Sequence, residues 1–164
     1  MKIVKATDDD LIVVMYFVKT STSEMNLKGD FYWHSTYPWI DEIKECVNKG
    51  LIYLLKKNET VIGFLLFRDR VPEEYEHLNI NNQALIINRL YIHPLYQNSR
   101  EAEEVLLNFA EHYAKDNGYS SLMMNILSTD KNSLLKYTGT GYKELGTFSH
   151  DYQETPFKCL EKKV

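Results

Sequence analysis

The turn that joins a predicted strand to a predicted helix is the stretch best suited to chemistry. Residues Leu85–Ile92 form an apolar run rich in β-branched side chains, which predicts a buried strand ended by Pro94. Apolar residues then recur at helical spacing at Ala102, Val105, Leu106, Phe109, Ala110, Tyr113 and Ala114, and Asn117-Gly118 supplies a stop. A strand that leads straight into a helix turns the free N–H groups of the first helical turn outward. Such a helix end is suited to binding an anion.

The same stretch resembles the core motif of the GNAT family, the acetyl-CoA-dependent N-acetyltransferases. The resemblance is carried by Arg89-Leu90-Tyr91-Ile92-His93-Pro94, then Tyr96-Gln97, then the helix. The family binds the pyrophosphate of acetyl-CoA with the pattern Q/R-x-x-G-x-G/A, and the matching window here is Gln97-Asn98-Ser99-Arg100-Glu101-Ala102. The resemblance therefore implies cofactor contacts at Gln97, Asn98, Ser99, Arg100, Glu101 and Ala102.

Arg100 stands where the family pattern has glycine, and the residues leave two structures open. If the turn needs a positive φ, the arginine would cost about 1–2 kcal/mol. If the turn is already helical, the arginine side chain could pair with a phosphate oxygen. Asn98-x-x-Glu101 is also typical of a capping box, which would satisfy the helix N-terminus without a ligand. Negative charge follows at Glu101, Glu103 and Glu104, where the pyrophosphate would lie.

The resemblance also implies the rest of an acetyl-transfer site. A β-bulge near Leu90 would splay the strand, so that the pantetheine arm pairs with the backbone of Tyr91 and Ile92. An amide near Leu90 would polarise the thioester carbonyl. Tyr137, four residues before Gly141, matches the family tyrosine that protonates the leaving thiolate. A phenol is a weak acid suited to that transfer when it is well placed.

Two other roles stay open. The family usually has an asparagine at the position of Asp130, where it bonds the pantetheine arm, and Asn132 lies two residues later. Either Asn132 takes this role through a shifted helix start, or Asp130 only caps the helix. No residue stands out as the general base, although His93 and His150 could each act directly or through water.

The acceptor site is expected in the irregular segment Ser21–Trp39 and in the loop Ser149–Pro156. Aromatic and acidic side chains in these segments would suit a cationic amine. The candidate contacts are Trp33, Tyr37 and His150, with acids at Asp30, Asp41 and Glu42. Alternatively, Trp33 and Trp39 pack the two N-terminal helices onto the sheet.

The remaining segments predict the element order β-α-α-β-β-β-α-β-α-β-β. The predicted strands are Lys2–Ala6, Leu51–Lys56, Thr60–Arg68, Leu85–Ile92, Ser121–Leu127, Tyr142–Ser149 and Phe157–Glu161. The other predicted helices are Leu11–Lys19, Asp41–Lys49 and Asp130–Tyr137, and Val71–Asn82 is predicted to be a loop. The fold class is α/β and GNAT-like, in one domain over residues 1–164. We expect a mixed, mostly antiparallel, twisted sheet of six to seven strands, flanked by about four helices and splayed at a bulge in the fourth strand.

Composition excludes several classes of function. A net charge of −4 argues against nucleic acid as a partner. The longest apolar run, Leu11–Val18, is too short to cross a bilayer, and the N-terminus is not typical of a signal peptide. Cys46 and Cys159 match no metal or redox spacing, which predicts no metal site and a reducing cytoplasm. Abundant Lys, Asn, Ile and Tyr indicate an AT-rich bacterial genome.

Two functions follow. The first is an N-acetyltransferase that moves the acetyl group of acetyl-CoA to a primary amine of a small molecule or a protein by direct attack. The alternative is a catalytically inactive GNAT-fold binding or regulatory domain that has lost acetyl-CoA. Gln97, Ala102, Tyr137 and Gly141 favour the enzyme, whereas Arg100, the glutamates after it and Asp130 favour the alternative. We expect the enzyme, and the resemblance implies a homodimer formed through the C-terminal strands.

Overall fold

The computed structural model describes residues 1–31, 33, 38–68, 70–78, 80, 83–97, 100–149 and 153–164. Within these residues the strands are β1 Lys2–Lys5, β2 Ile52–Lys57, β3 Thr60–Arg68, β4 Ala84–Ile92, β5 Ser121–Leu127, β6 Lys143–Phe148 and β7 Phe157–Lys163. The α-helices are α1 Leu11–Leu27, α2 Ile40–Asn48, α3 Arg100–Asp116 and α4 Lys131–Gly139. Short 3-10 helices cover Asp8–Asp10, Glu73–Leu78 and Pro94–Tyr96.

The strands form one seven-stranded sheet in the order β1-β2-β3-β4-β5-β7-β6. β4 and β5 are parallel, because α3 crosses between them, and the other neighbouring strands are antiparallel. This is the mixed, mostly antiparallel sheet that the sequence predicts, so the predicted fold class is confirmed.

Apolar side chains cover both faces of the sheet. On one face, Leu85, Ile87, Leu122 and Met124 pack with residues of the helices α1 and α3. On the other face, Ile86 and Met123 join a smaller core with Tyr75, Phe148 and Phe157. The central strands are therefore buried on both faces, which explains their nearly continuous apolar sequence. No helix in the described part of the chain is long and apolar enough to span a bilayer.

Two local predictions are wrong. The irregular segment predicted from Ser21 begins later, because α1 continues to Leu27. The hydroxyls of Ser21 and Thr22 donate to the Val18 carbonyl at 2.9 and 2.8 Å, so these poor helix formers are satisfied inside the helix. The loop predicted over Val71–Asn82 contains the 3-10 helix Glu73–Leu78, since Tyr75 and Leu78 insert into the smaller core.

The hairpin between β2 and β3 is tighter than predicted. Lys57 pairs with Thr60, so the connection is Asn58-Glu59 rather than three residues. Both residues have positive φ, 49° and 63°, as a two-residue type I′ hairpin turn requires.

Gly63 of β3 lies in close contact with β4. A Cβ there would lie 2.6 Å from the Tyr91 backbone oxygen and 2.8 Å from Ile92 Cδ1. Because backbone cannot move aside cheaply, we expect Gly63→Ala to lower the free energy of unfolding by about 1–3 kcal/mol in urea denaturation. Gly139→Ala is the matched control, since nothing lies within 4 Å of its Cβ. Equal stability of the two variants would contradict the close approach.

Candidate functional site

The fourth strand carries a bulge at Asn88. Along the β3–β4 pair, Leu66 faces Arg89 and Phe67 faces Ile87, so Asn88 is an extra residue on β4. An extra residue bends its strand and increases the local twist. The predicted bulge in the fourth strand is thus confirmed, two residues before Leu90.

The bulge coincides with the end of the parallel pairing. β4 and β5 are in register from Ala84↔Ser121 to Ile87↔Met124, and the pairing stops there. Beyond this point β4 continues along β3 to Ile92, whereas β5 stays with β7 to Leu127. The two strands therefore diverge, and the edge of β4 beyond Ile87 faces an opening instead of a neighbouring strand.

A cavity of about 550 Å³ lies at this divergence. Its walls come from four consecutive residues of each strand, Ile87–Leu90 and Met124–Leu127. Other lining residues come from α1 and the chain after it, from α4 and the residues before it, and from the C-terminal strands: Met25, Lys28, Asp30, Thr129, Asp130, Asn132, Ser133, Tyr137, Phe148 and Phe157. The volume is in the range of small-molecule sites. The cavity brings together three residues of the predicted site, Leu90, Asn132 and Tyr137.

Tyr137 lies in the last turn of α4, with only 8% of its surface exposed. Its hydroxyl donates to Glu103 Oε1 at 2.5 Å, across the gap between α4 and α3. The Lys136 ammonium donates to both oxygens of the same carboxylate, at 2.7 and 2.9 Å. Burial and the neighbouring Glu103 charge raise the pKa of Tyr137 far above that of a free tyrosine. Glu103 was predicted only as an unfavourable charge, because its partners are more than thirty residues away in the chain.

The turn after β4 is held by its own side chains. Gln97 Nε2 donates to the Ile92 carbonyl at 2.7 Å, and His93 Nδ1 accepts from the Leu95 amide at 3.3 Å. Among the described residues, the cavity lining contains neither His93 nor Gln97. Two predicted cofactor contacts, Asn98 and Ser99, lie outside the described residues, so the capping box between Asn98 and Glu101 stays a prediction.

Arg100 is the first residue of α3, and its side chain is exposed. Among the described non-glycine residues, only Asn58 and Glu59 have positive φ, so Arg100 bears no left-handed strain. At Arg100 itself the backbone is therefore helical, as the second alternative requires. Behind Arg100, Ala102 is buried in the core, while Glu101 is exposed.

Asp130 is the N-cap of α4. Its Oδ1 accepts from the Ser133 amide at 3.0 Å, and its Oδ2 accepts from the Ser133 hydroxyl at 2.8 Å. Of the two roles left open by the sequence, capping is the one these bonds support. Asn132, in the first turn of α4, is exposed and lines the cavity.

The two tryptophans near the predicted acceptor site differ in their exposure. Trp33 is 2% exposed, and the Arg89 guanidinium carbon lies 4.1 Å from the centre of its ring. The indole is therefore buried and packs against Arg89, which lines the cavity. This burial agrees with the packing alternative for Trp33. Trp39 is 59% exposed, next to the start of α2. Tyr37 and His150 lie outside the described residues.

Two side-chain contacts near the cavity were not predicted from the sequence. The Tyr91 hydroxyl donates to Glu24 Oε1 at 2.6 Å and ties β4 to α1, although only the backbone of Tyr91 was assigned a role. Burial and the Glu24 carboxylate raise the pKa of Tyr91 well above its usual range. On the other face, the Asn125 amide donates to the Tyr75 hydroxyl. Among the described residues, no group of three or more His, Cys, Asp or Glu side chains could hold a metal ion.

The architecture is that of N-acetyltransferases of known structure. A GNAT family acetyltransferase from Listeria monocytogenes has a TM-score of 0.76 at 12% identity, over 99% of this chain and 94% of the other. The ribosomal-protein-alanine N-acetyltransferase of Brucella melitensis has a TM-score of 0.75 at 14% identity, over 100% of both chains. The PaiA N-acetyltransferase of Thermoplasma acidophilum, solved in complex with coenzyme A, has a TM-score of 0.67 at 18% identity, over 99% of this chain and 98% of the other.

The sequence itself matches the acetyltransferase (GNAT) family over residues 19–141, more than half of the chain. The protein therefore belongs to the acetyltransferase (GNAT) family, and the resemblance seen in its motifs is confirmed. No curated protein sequence matches this chain.

If Asp130 serves as a helix cap, its shape and acceptor oxygen matter more than its charge. We expect Asp130→Ala to lower the free energy of unfolding by about 0.5–2 kcal/mol, and Asp130→Asn to stay close to wild type, because asparagine caps as well. Urea denaturation of both variants measures this. Equal losses in the two variants would show that the carboxylate charge, not the cap, is what the fold uses.

Proposed function

We propose that this protein is an N-acetyltransferase that moves the acetyl group of acetyl-CoA to a primary amine by direct attack. The observation that carries the proposal is the cavity at the divergence of β4 and β5, with Tyr137 in its wall, in a chain of the acetyltransferase (GNAT) family. The acceptor would be a small molecule or a protein amino group.

The residues around the cavity fit acetyl-CoA. Because the edge of β4 beyond Ile87 has no β5 strand beside it, its backbone from Leu90 to Ile92 would pair with the pantetheine arm. The carbonyl of Ile92 already accepts from Gln97. The backbone groups of β4 that point towards β3 pair within the sheet, so only the groups that point away from β3 would serve this role. Arg100 places an exposed cation at the N-terminus of α3, where a pyrophosphate would find both the side chain and the helix dipole.

Acetyl-CoA supplies an acetyl thioester. The protein must allow one proton to leave the amine and must deliver one proton to the sulfur. A C–N bond forms as the amine attacks and the C–S bond breaks, so the nitrogen loses one proton and the sulfur gains one. Tyr137 is the proposed donor of the sulfur's proton. Among the described residues that line the cavity there is no histidine, and no residue is proposed as the general base that takes the proton of the amine.

An acidic and several apolar lining residues support an amine acceptor. Asp30 is 6% exposed and lines the cavity, where its carboxylate would favour a cationic amine. Apolar walls from Met25, Phe148 and Phe157 would surround the carbon skeleton of the acceptor. Trp33 would influence the acceptor only through its contact with Arg89. Tyr37 and His150 stay proposed contacts of the acceptor.

One observation favours the alternative, a binding or regulatory domain that does not use acetyl-CoA. The Tyr137 hydroxyl is bonded to Glu103, and that glutamate adds negative charge to the first turn of α3. Loss of the cofactor would let this contact persist as a purely structural bridge between α3 and α4.

We also propose that residues 1–164 act as one domain in the bacterial cytoplasm and form a homodimer. Neither Cys46 nor Cys159 is in a disulfide, as is usual in a reducing compartment. The dimer is implied by the resemblance alone, through the C-terminal strands, of which β6 lies at the edge of the sheet. The charge of −4 gives no reason to propose nucleic acid as a partner.

Calorimetric titration with acetyl-CoA and with CoA tests the cofactor. We expect micromolar binding, weakened about 5–10-fold by Arg100→Gln, because one cation is lost beside the phosphates. The effect should grow as salt is lowered. Arg70→Gln, at another exposed arginine, is the control for total charge. Absence of binding at millimolar ligand would overturn the enzyme and support the alternative.

Removal of the Tyr137 hydroxyl tests the proton donor. We expect Tyr137→Phe to lower kcat by about 100-fold, the lower end of general-acid effects, with little change in the Kd of CoA. Tyr142→Phe is the matched control, because its ring lies 5.9 Å from that of Tyr137 and its hydroxyl is also buried. Equal rates in the two variants would remove Tyr137 from the mechanism.

A further inference from the structure

Glu103 connects two neighbouring residues of α4 to the first turn of α3. Its carboxylate accepts the Tyr137 hydroxyl at 2.5 Å and the Lys136 ammonium at 2.7 and 2.9 Å. The Lys136 Nζ also lies 4.6 Å from the centre of the Tyr137 ring. Tyr137 lines the cavity, whereas Glu103 and Lys136 do not, so the contact ties a cavity-lining residue to two residues outside the lining.

A phenol has one proton to give. While the Tyr137 hydroxyl points at Glu103, it cannot also point at a sulfur atom in the cavity. The ionised carboxylate further disfavours a phenolate at this position, since the two negative charges would lie within hydrogen-bonding distance. As held by Glu103, Tyr137 is therefore a poor donor to a thiolate.

We propose that Glu103 is a positioning residue that competes with the leaving thiolate for the proton of Tyr137, so that Tyr137 acts as an acid only after its hydroxyl turns from Glu103 to the cavity. This inference rests on the proposed function. Lys136 makes this rotation of the hydroxyl feasible, because its two contacts keep the Glu103 carboxylate paired when the Tyr137 hydroxyl leaves. A hydrogen bond to a charged group is worth a factor of about ten or more in the equilibrium.

The proton balance of the step is closed. The C–N bond forms as the thioester C–S bond breaks, and the sulfur takes the hydroxyl proton of Tyr137. The phenolate regains, directly or through water, the proton that the attacking nitrogen releases. The charged and titratable groups that face Tyr137 are Glu103 from α3, Lys136 and Asp130 from α4, and Tyr142 after it.

The sign of the pH effect follows from these neighbours. A general acid works while it is protonated, so kcat is lost as the pH rises through the pKa of Tyr137. Burial and the Glu103 carboxylate both raise this pKa, so removing the Glu103 charge lowers it while the contribution of burial stays. The alkaline fall of kcat should therefore begin at a lower pH in Glu103→Gln than in wild type.

The test compares Glu103→Gln with Glu104→Gln. Both variants remove one negative charge near the start of α3, but Glu104 is an exposed neighbour. Charge removal near a helix N-terminus should tighten CoA binding by at most about fivefold in either variant. Only Glu103→Gln should raise kcat, by about 3–10-fold, and the rise should vanish when Tyr137→Phe is added.

A second readout does not depend on turnover. With isotopically labelled tyrosine, the NMR signal of the Tyr137 ring is identified by its loss in Tyr137→Phe. In the free protein, Glu103→Gln should move this signal and Glu104→Gln should not. Addition of CoA to the wild type should move it in the same direction as Glu103→Gln.

Each outcome decides the inference. A Glu103→Gln variant that loses kcat as Tyr137→Phe does, or that behaves like Glu104→Gln, overturns it. If calorimetry shows CoA binding while the Tyr137 signal stays still, the inference fails and the proposed function stands. If calorimetry shows no CoA binding, the proposed function fails and the inference fails with it.

Discussion

The divergence of β4 from β5 is the constraint on which the site depends. One extra residue, Asn88, shifts β4 relative to β3, while β5 keeps its register with β7. A sheet normally satisfies its backbone groups by pairing every strand, so an opening between two central strands must be held by something else. Here the apolar cores on both faces hold the two halves, and the opening becomes a cavity with backbone groups along one wall.

The same constraint brings distant residues together. Each of the two diverging strands is followed by a helix, β4 by α3 and β5 by α4, and the start of α4 lines the cavity. Glu103 and Tyr137 meet across them although they are far apart in the sequence. The exposed ion pair of Lys136 with Glu103 alone would contribute little to stability. Its importance lies in keeping a carboxylate at a fixed distance from a buried phenol.

The sequence predicted the parts of this arrangement that are locally encoded. Strand and helix periodicity located β4 and α3, and the Asp130 cap followed from a short-range pattern. The extension of α1 and the 3-10 helix around Tyr75 were missed, because buried side-chain contacts overrode local preference there. The bulge came from the family resemblance, since backbone register leaves no residue signature. The Glu103 contact could not be predicted, because it depends on how two helices dock.

The brevity of the parallel pairing has a mechanical consequence. β4 and β5 share four register pairs, no more than the edge strand β1 shares with β2. The β4–β5 pairing in the middle of the sheet is thus as short as the β1–β2 pairing at its edge. Widening the cavity would strain this short ladder and some side-chain packing, while the antiparallel ladders on either side stay intact. The cavity thus lies at a place where the sheet can widen without breaking the longer ladders of either half.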